Sequence, residues 1–260
     1  MKKPHSLIVG GTRGIGRELV DQFIRDGHKV SVIARRLPER KAARKGARYW
    51  PLDIRDESAL REVLPRIIKE SGKINHLIFF QRFRGADDVW RGEIETSLTA
   101  TKAVVEALQD RFAAGEKAIV IVSSINGELI AGYLPIGYHV AKAALQQMVR
   151  YWALALGSRS IRVNSVSPGT VLKEESKQFF LRDRELSDLY RRITPLGRFG
   201  HAREVARVIG CLCGAQMSFV TGQDIVVDGG VSLQWQESLA RELVNLGPSR
   251  NSKPAKGRRK

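Results

Sequence analysis

The sequence predicts a single doubly wound α/β domain, a seven-stranded parallel sheet flanked by helices on both faces. Three observations carry that prediction. Short β-branched runs alternate with longer amphipathic stretches, a glycine cluster follows the first run, and 43% of the 260 residues are hydrophobic, enough for one large core.

Strands are expected at residues 6–9, 29–34, 47–52, 76–80, 118–122, 161–166 and 224–227, each a run of apolar and β-branched residues too short for a helix. Helices are expected near 15–26, 57–70, 93–113, 138–156 and 202–211, where apolar residues return at three- and four-residue spacing. A helix between successive strands lets them pair in parallel through a right-handed crossover, and repetition of that unit is the Rossmann-type arrangement. Two stretches break the rhythm. Residues 171–194 form a charged insertion after the sixth strand, expected to overhang the carboxyl ends of the strands, where ligands bind in open α/β sheets. An amphipathic stretch at 233–246 ends the domain, assigned to 1–246, and residues 247–260 read as a basic tail without fixed structure.

The formal net charge is +17 and is concentrated in two places. Arg250, Lys253, Lys256, Arg258, Arg259 and Lys260 crowd the tail, while Arg35, Arg36, Arg40, Lys41, Arg44, Lys45 and Arg48 follow the second strand. Such charge favours acidic partners, but no basic motif with interleaved aromatics supports nucleic-acid binding. No apolar stretch is long enough to span a bilayer and no signal-peptide apolar region follows Met1, so a cytoplasmic protein without membrane insertion is expected. Cys211 and Cys213 are one residue apart, a spacing that suits neither a disulfide framework nor a zinc site. Both are expected as core packing, and no metal is expected.

The segment Gly10-Gly11-Thr12-Arg13-Gly14-Ile15-Gly16 leaves the first strand and opens the first helix. Glycines there permit a tight turn and close approach to a pyrophosphate, which the helix N-terminus binds through its free N–H groups. The second strand ends Ala34-Arg35-Arg36, with no carboxylate to accept ribose hydroxyls. Together with Arg13, these arginines are suited to gripping a 2′-phosphate through charge-assisted hydrogen bonds, so NADP(H) is the expected cofactor.

Tyr138-His139-Val140-Ala141-Lys142 opens a long helix, and the four-residue spacing puts Tyr138 and Lys142 on one face. An ammonium beside a phenol favours the phenolate, which makes the tyrosine a usable proton donor or acceptor near neutral pH. Ser124 closes the fifth strand, so it is expected to meet that helix at the sheet's carboxyl edge with its hydroxyl toward a carbonyl or alcohol oxygen.

On these features the chain resembles the short-chain dehydrogenase/reductase family, over residues 6–231. The glycine loop resembles that family's T-G-x-x-x-G-x-G, and Asp53-Ile54 its adenine-contacting acidic turn. Ser124, Tyr138 and Lys142 match its catalytic residues. The segment Ile161-Arg162-Val163-Asn164-Ser165-Val166-Ser167-Pro168-Gly169 matches the stretch beside the nicotinamide, with Val171 just beyond it, and Pro195-Leu196-Gly197-Arg198 and Asp228-Gly229-Gly230 match its C-terminal signatures. Within the family the chain looks most like bacterial carbonyl reductases that include 3-oxoacyl-(acyl-carrier-protein) reductases. The resemblance implies that Tyr138 delivers the proton, Ser124 positions the carbonyl and Lys142 holds the nicotinamide ribose. It also implies a small-molecule or acyl-carrier-bound substrate and a homo-oligomer, tetramer or dimer, with the helices near 93–113 and 138–156 at an interface.

Departures from the family pattern are equally legible. Val9 stands for the usual threonine, Phe79-Phe80-Gln81-Arg82 for N-N-A-G, Ser97 for the catalytic asparagine and Lys173 for a threonine. Small residues after the fourth strand leave room for the cofactor's ribose, so two aromatics and an arginine must reshape that wall. These changes motivate an alternative, a dinucleotide-binding sensor or scaffold with little turnover. Pocket candidates are Arg82, Phe83, Arg84, Leu129, Tyr133, Trp235 and the 171–194 insertion.

Overall fold

The computed structural model describes residues 3–246, and the basic tail expected at 247–260 lies outside the described residues. Strand β1 (His5–Val9) is buried along its whole length and pairs in parallel with β2 (Lys29–Ala34) on one side and β4 (His76–Phe79) on the other. With β3 (Ala47–Pro51), β5 (Ala118–Val122), β6 (Arg162–Pro168) and β9 (Asp224–Val227) they form a seven-stranded sheet in the order β3-β2-β1-β4-β5-β6-β9. The order reverses between β1 and β4, so a crevice opens beyond their carboxyl ends.

Two-residue alternation along the strands makes two cores. Leu7, Val9, Leu77, Phe79 and Ile119 face helices α2 (Glu57–Ser71), α4 (Ala100–Leu108) and α5 (Ile136–Gly157), packing with Leu64, Val104, Leu145 and Trp152. Ile8, Val32, Ile78 and Val120 face the other way, against Leu19 and Phe23 of α1 (Gly14–Arg25) and Val205 and Ile209 of α8 (Ala202–Cys213). Each large side chain so buried contributes about 1.5–3 kcal/mol.

The helix expected at 93–113 is corrected at both ends. Helix α3 (Val89–Glu93) begins earlier, where the Asp88 side chain accepts a hydrogen bond from Arg91 N at 3.0 Å. It continues through a π-helical segment, Ile94–Thr99, into α4, and Thr101 Oγ1 donates to the Ser97 carbonyl at 2.6 Å inside that widened turn. The helix stops at Leu108 because the chain beyond pairs with Ile74, just before β4, Ile74 N donating to Arg111 O and Ala113 N to Ile74 O. The cysteine expectation is half corrected: Cys213 is buried but Cys211 is exposed. Two residues apart on a helix turn side chains about 200° from one another, so one core face cannot hold both.

The insertion is β7 (Val171–Leu172), α6 (Glu174–Arg182) and α7 (Arg184–Ile193), and β7 pairs with β8 (Gly200–His201). Phe180, Tyr190 and Phe199 bind it together, with ring centroids 4.8–5.6 Å apart. The C-terminal amphipathic stretch contains α9 (Gln236–Leu243).

At the opposite, amino end of the sheet lies a cluster of histidines, His5 and His76 buried and His28 half-buried. Ser6 Oγ is 2.9 Å from Nδ1 of both His28 and His76, and His5 Nε2 is 2.9 Å from Ser31 Oγ. Burial holds all three imidazoles below their ordinary range, and His76, also beside His28 and Arg162, is pushed down to about 3. The native state therefore keeps His76 neutral, whereas the unfolded chain takes up a proton near 6.5. This contribution to stability is complete above the unfolded value and is lost as pH falls from there toward 3. Urea unfolding at pH 7.5 and pH 5 should show a loss of ~2 kcal/mol from His76 alone, about 1.36 kcal/mol for each unit below 6.5. The slope should flatten in His76→Phe. Equal stability of the wild type at the two pH values would refute the assignment.

Candidate active site

The glycine loop connects β1 to α1 beneath the crevice. Gly10 and Gly14 adopt positive φ, 89° and 48°, and a Cβ at Gly16 would stand 2.6 Å from the Gly10 carbonyl oxygen, so these turns close only without side chains. Helix α1 starts at Gly14 with no side-chain cap from Arg13 and no acidic residue in its first turn. No capping side chain or first-turn acid competes with an anion at this helix start, and among the described residues Arg17 Nε is buried without a hydrogen-bond partner. The cradle fits a dinucleotide pyrophosphate. Ile15 is buried beneath it, whereas Thr12 is half-buried and Arg13 is exposed.

Arg35 and Arg36 are exposed just past β2. Asp53 lies nearby, but Arg55 covers it, with Nη2 2.6 Å from Oδ2. That hydrogen bond, with a weaker pull from Arg35, holds the Asp53 carboxyl below the usual range. Ile54 is buried in the core. On the far side of the crevice, Gly169 packs against Asp228, where a Cβ would meet Asp228 Cβ at 2.7 Å, and Pro168 ends β6. The Val171 side chain turns into the core, so it offers the crevice only main chain.

Ser124, Tyr138 and Lys142 come to one edge of the sheet through a set of main-chain ties. Lys142 is buried, and its Nζ donates to the carbonyl of Val122 at 2.9 Å. Ser123 Oγ donates back to the Lys142 carbonyl, also at 2.9 Å. His139 pins the loop between, Nδ1 lying 2.9 Å from Asn126 O and Nε2 3.2 Å from Ala131 O. Helix α5 is thereby stitched to the end of β5. Ser124 Oγ accepts from Asn126 N at 3.2 Å and donates weakly to Asn126 Oδ1 at 3.3 Å, a bond a better acceptor would replace. Lys142 Nζ lies 5.7 Å from the centre of the Tyr138 ring. Burial lowers Lys142 to about 8, with Arg82 and Lys173 pushing the same way and Glu93 opposing.

The segment after β4 is where the site is most unusual. Phe79 is fully buried in the core, and the glycine loop leans on the next two residues, a Cβ at Gly10 reaching Phe80 Cβ and Gln81 N at 3.2 Å. Gln81 Nε2 donates to Thr101 Oγ1 at 2.6 Å, and its Oε1 is buried without a partner. The exposed Arg82 sets its guanidinium 4.9 Å over the Tyr138 ring. Phe83, expected to line a pocket, is instead half-buried between two glycines, for a Cβ at Gly85 or Gly92 would come within 2.4 Å of its ring.

Glu93 was not singled out by the sequence, yet it is 2% exposed. Its Oε2 accepts from Ser97 Oγ at 2.9 Å and from Phe83 N at 3.4 Å. Ser97 itself is fully buried, and its hydroxyl is committed to Glu93. Of the other pocket candidates, Arg84, Leu129, Tyr133 and Trp235 are exposed. Tyr190 of α7, close to the exposed Tyr133, pushes the Tyr133 hydroxyl up to about 12.

Comparison with known proteins shows the family and the fold. A family model described as enoyl-(acyl carrier protein) reductase matches residues 9–232. The chain is 30% identical over 249 residues to the A-factor type gamma-butyrolactone 1′-reductase (1S-forming) of Streptomyces virginiae, covering 88% of this chain and 95% of that protein. It is 30% identical over 254 residues to isoepoxydon dehydrogenase of Aspergillus clavatus, covering 91% and 97%. In fold it is similar to a short chain dehydrogenase family protein from Francisella tularensis, with TM-score 0.78, 21% identity and coverage of 90% and 100%. It is likewise similar to ElxO with NADP bound, with TM-score 0.79, 23% identity and the same coverage. Among the described residues no helix is long and apolar enough to cross a membrane. With its glycine cradle, its doubly wound sheet and these relatives, the chain belongs to the short-chain dehydrogenase/reductase family and is an NAD(P)-dependent oxidoreductase.

Proposed function

We propose that the protein is an NADP(H)-dependent carbonyl reductase, or the reverse alcohol dehydrogenase, in which Ser124, Tyr138 and Lys142 do the acid–base work. The observation that carries this is the Lys142–Val122 bond, which holds an ammonium under Tyr138 while fixing the strand end that presents Ser124. A bound nicotinamide would supply or accept the hydride. Ser124 exchanges its long bond to Asn126 for one to the substrate oxygen, Tyr138 passes that oxygen a proton, and Lys142 stands beside the phenol as a cation. Gly10, Gly14, Gly16 and the start of α1 hold the pyrophosphate, Asp53, Ile54, Pro168, Gly169 and Val171 flank the dinucleotide, and Thr12 closes the loop.

Preference for NADP(H) rests on Arg13, Arg35 and Arg36 and on the absence of an acid at Ala34. The NADP bound to the similarly folded ElxO is in keeping with it. The names of the relatives include reductases and dehydrogenases of small molecules, which favours turnover over a sensor or scaffold, and the substrate carbonyl belongs to a small molecule or to an acyl carrier. The homo-oligomer places Tyr151 and Leu154, 68% and 87% exposed on α5, against a second copy. A reducing cytoplasm suits the free, exposed Cys211.

Two outcomes test the proposal. Tyr138→Phe should keep its melting temperature and cofactor affinity while turnover of a panel of ketones falls at least ~100-fold, the scale for losing a general acid. Near-normal turnover would remove Tyr138 from the chemistry. Replacing Ala34 with Asp and Arg35 with Ser should move the ratio of kcat/KM for NADH over NADPH upward by at least ~10-fold, by adding a ribose acceptor and deleting a phosphate partner. A wild-type protein that already uses both cofactors equally would contradict it.

A further inference from the structure

A carboxylate taken out of water is costly unless an opposite charge compensates it, and Glu93 is buried in the wall of the site. Its hydrogen-bond partners, the Ser97 hydroxyl and the Phe83 main chain, are neutral; they fix the carboxylate without cancelling its charge. The helix bearing it lies against the turn that carries Tyr138. A Cβ at Gly137 would stand 3.1 Å from Trp90 Cα and 3.6 Å from Glu93 Cβ, so glycine just before Tyr138 is what permits the approach. The charged and titratable groups around this point are Arg82 from the loop after β4, Tyr138, His139 and Lys142 from α5, and Lys173 following β7. His139 is engaged by the carbonyls of Asn126 and Ala131, and Glu95, the neighbouring acid, turns outward to Arg91.

We propose that Glu93 is a positioning residue: its fixed carboxylate supplies the negative charge that keeps Lys142 an ammonium in spite of burial and of the cations at Arg82 and Lys173. The role rests on the reading of Lys142 as the partner of Tyr138. It also gives Ser97 a task in this chain, to orient Glu93 through the 2.9 Å bond it donates. The physical need is plain from Lys142 itself. Burial and two neighbouring cations favour the neutral amine, and the Glu93 carboxylate opposes them beside the Val122 carbonyl that accepts the Lys142 hydrogen bond. Without it the amine loses its proton at lower pH, and Tyr138 loses its charged neighbour.

The test separates charge from anchoring. Glu93→Gln keeps an oxygen for Ser97 and Phe83 but removes the charge, whereas Glu93→Asp keeps the charge on a shorter arm. In the full chain, the Lys142 side-chain resonance, identified by its loss in Lys142→Arg, is titrated by carbon- and nitrogen-detected NMR. The Gln variant should lower the Lys142 midpoint by about one unit, and the Asp variant should leave it within about half a unit of wild type. An unmoved midpoint in Glu93→Gln overturns the proposal. If neither variant folds, the carboxyl carbon of Glu93 in the wild type decides the matter: it must show an ionised group at pH 7, and a protonated one overturns the proposal. These measurements need no turnover. A Tyr138→Phe protein as active as wild type would defeat the proposed function and leave the Glu93–Lys142 result to be read on its own.

Discussion

The ammonium of Lys142 is held in the protein interior by the carbonyl of Val122, and much of the site follows from accommodating that one buried charge. A cation out of water requires acceptors and opposite charge close by, at fixed positions. The bond to Val122 therefore ties α5 to the end of β5, and the return bond from Ser123 locks the same pair of elements. Because Tyr138 is one helical turn before Lys142 and Ser124 two residues after Val122, the tie that satisfies the lysine also constrains where these two hydroxyls stand.

The doubly wound sheet supplies the rest of the geometry. Reversal of strand order between β1 and β4 opens the crevice, and the glycine loop enters it from β1 while the Phe80–Gln81 backbone borders it from β4. Gly10 and Gly16 are needed there for close approach of backbone to backbone, not for flexibility. At the amino end of the same sheet, histidines and serines hydrogen-bond to one another. One end of the sheet is thus kept for ligands, and the other carries a polar network that favours neutral imidazoles.

The wall after β4 shows how a family site is rebuilt. Where small residues are usual, this chain places Arg82 over the Tyr138 ring and clamps Phe83 between Gly85 and Gly92. The added cation makes the interior lysine harder to keep charged, and the buried carboxylate of Glu93 faces the same wall. Ser97 is then not a shortened asparagine alone but the donor that holds that carboxylate.

What the sequence determined by itself is what local pattern encodes. Two-residue and 3.6-residue periodicities set the strands and helices, the glycine spacing after the first strand set the anion cradle, and the four-residue step from Tyr138 to Lys142 set their common face. These rest on contacts between near neighbours, so a linear reading captures them. It placed the helix at 93–113 wrongly at both ends, because its start depends on the Asp88 cap and its end on residues 111–113 pairing with Ile74 across the fold. It expected both cysteines inside, although two steps along a helix cannot share one face. It also passed over Glu93, since Glu93 and Glu95 look alike in Gly-Glu-Ile-Glu-Thr and a charged residue on an amphipathic helix is ordinarily solvated. Only the tertiary structure decides that one glutamate meets Arg91 at the surface while the other is carried inward against Ser97 and the turn of Tyr138. Which face of a helix is buried depends on what packs against it, and here that is a glycine at position 137 on a different helix.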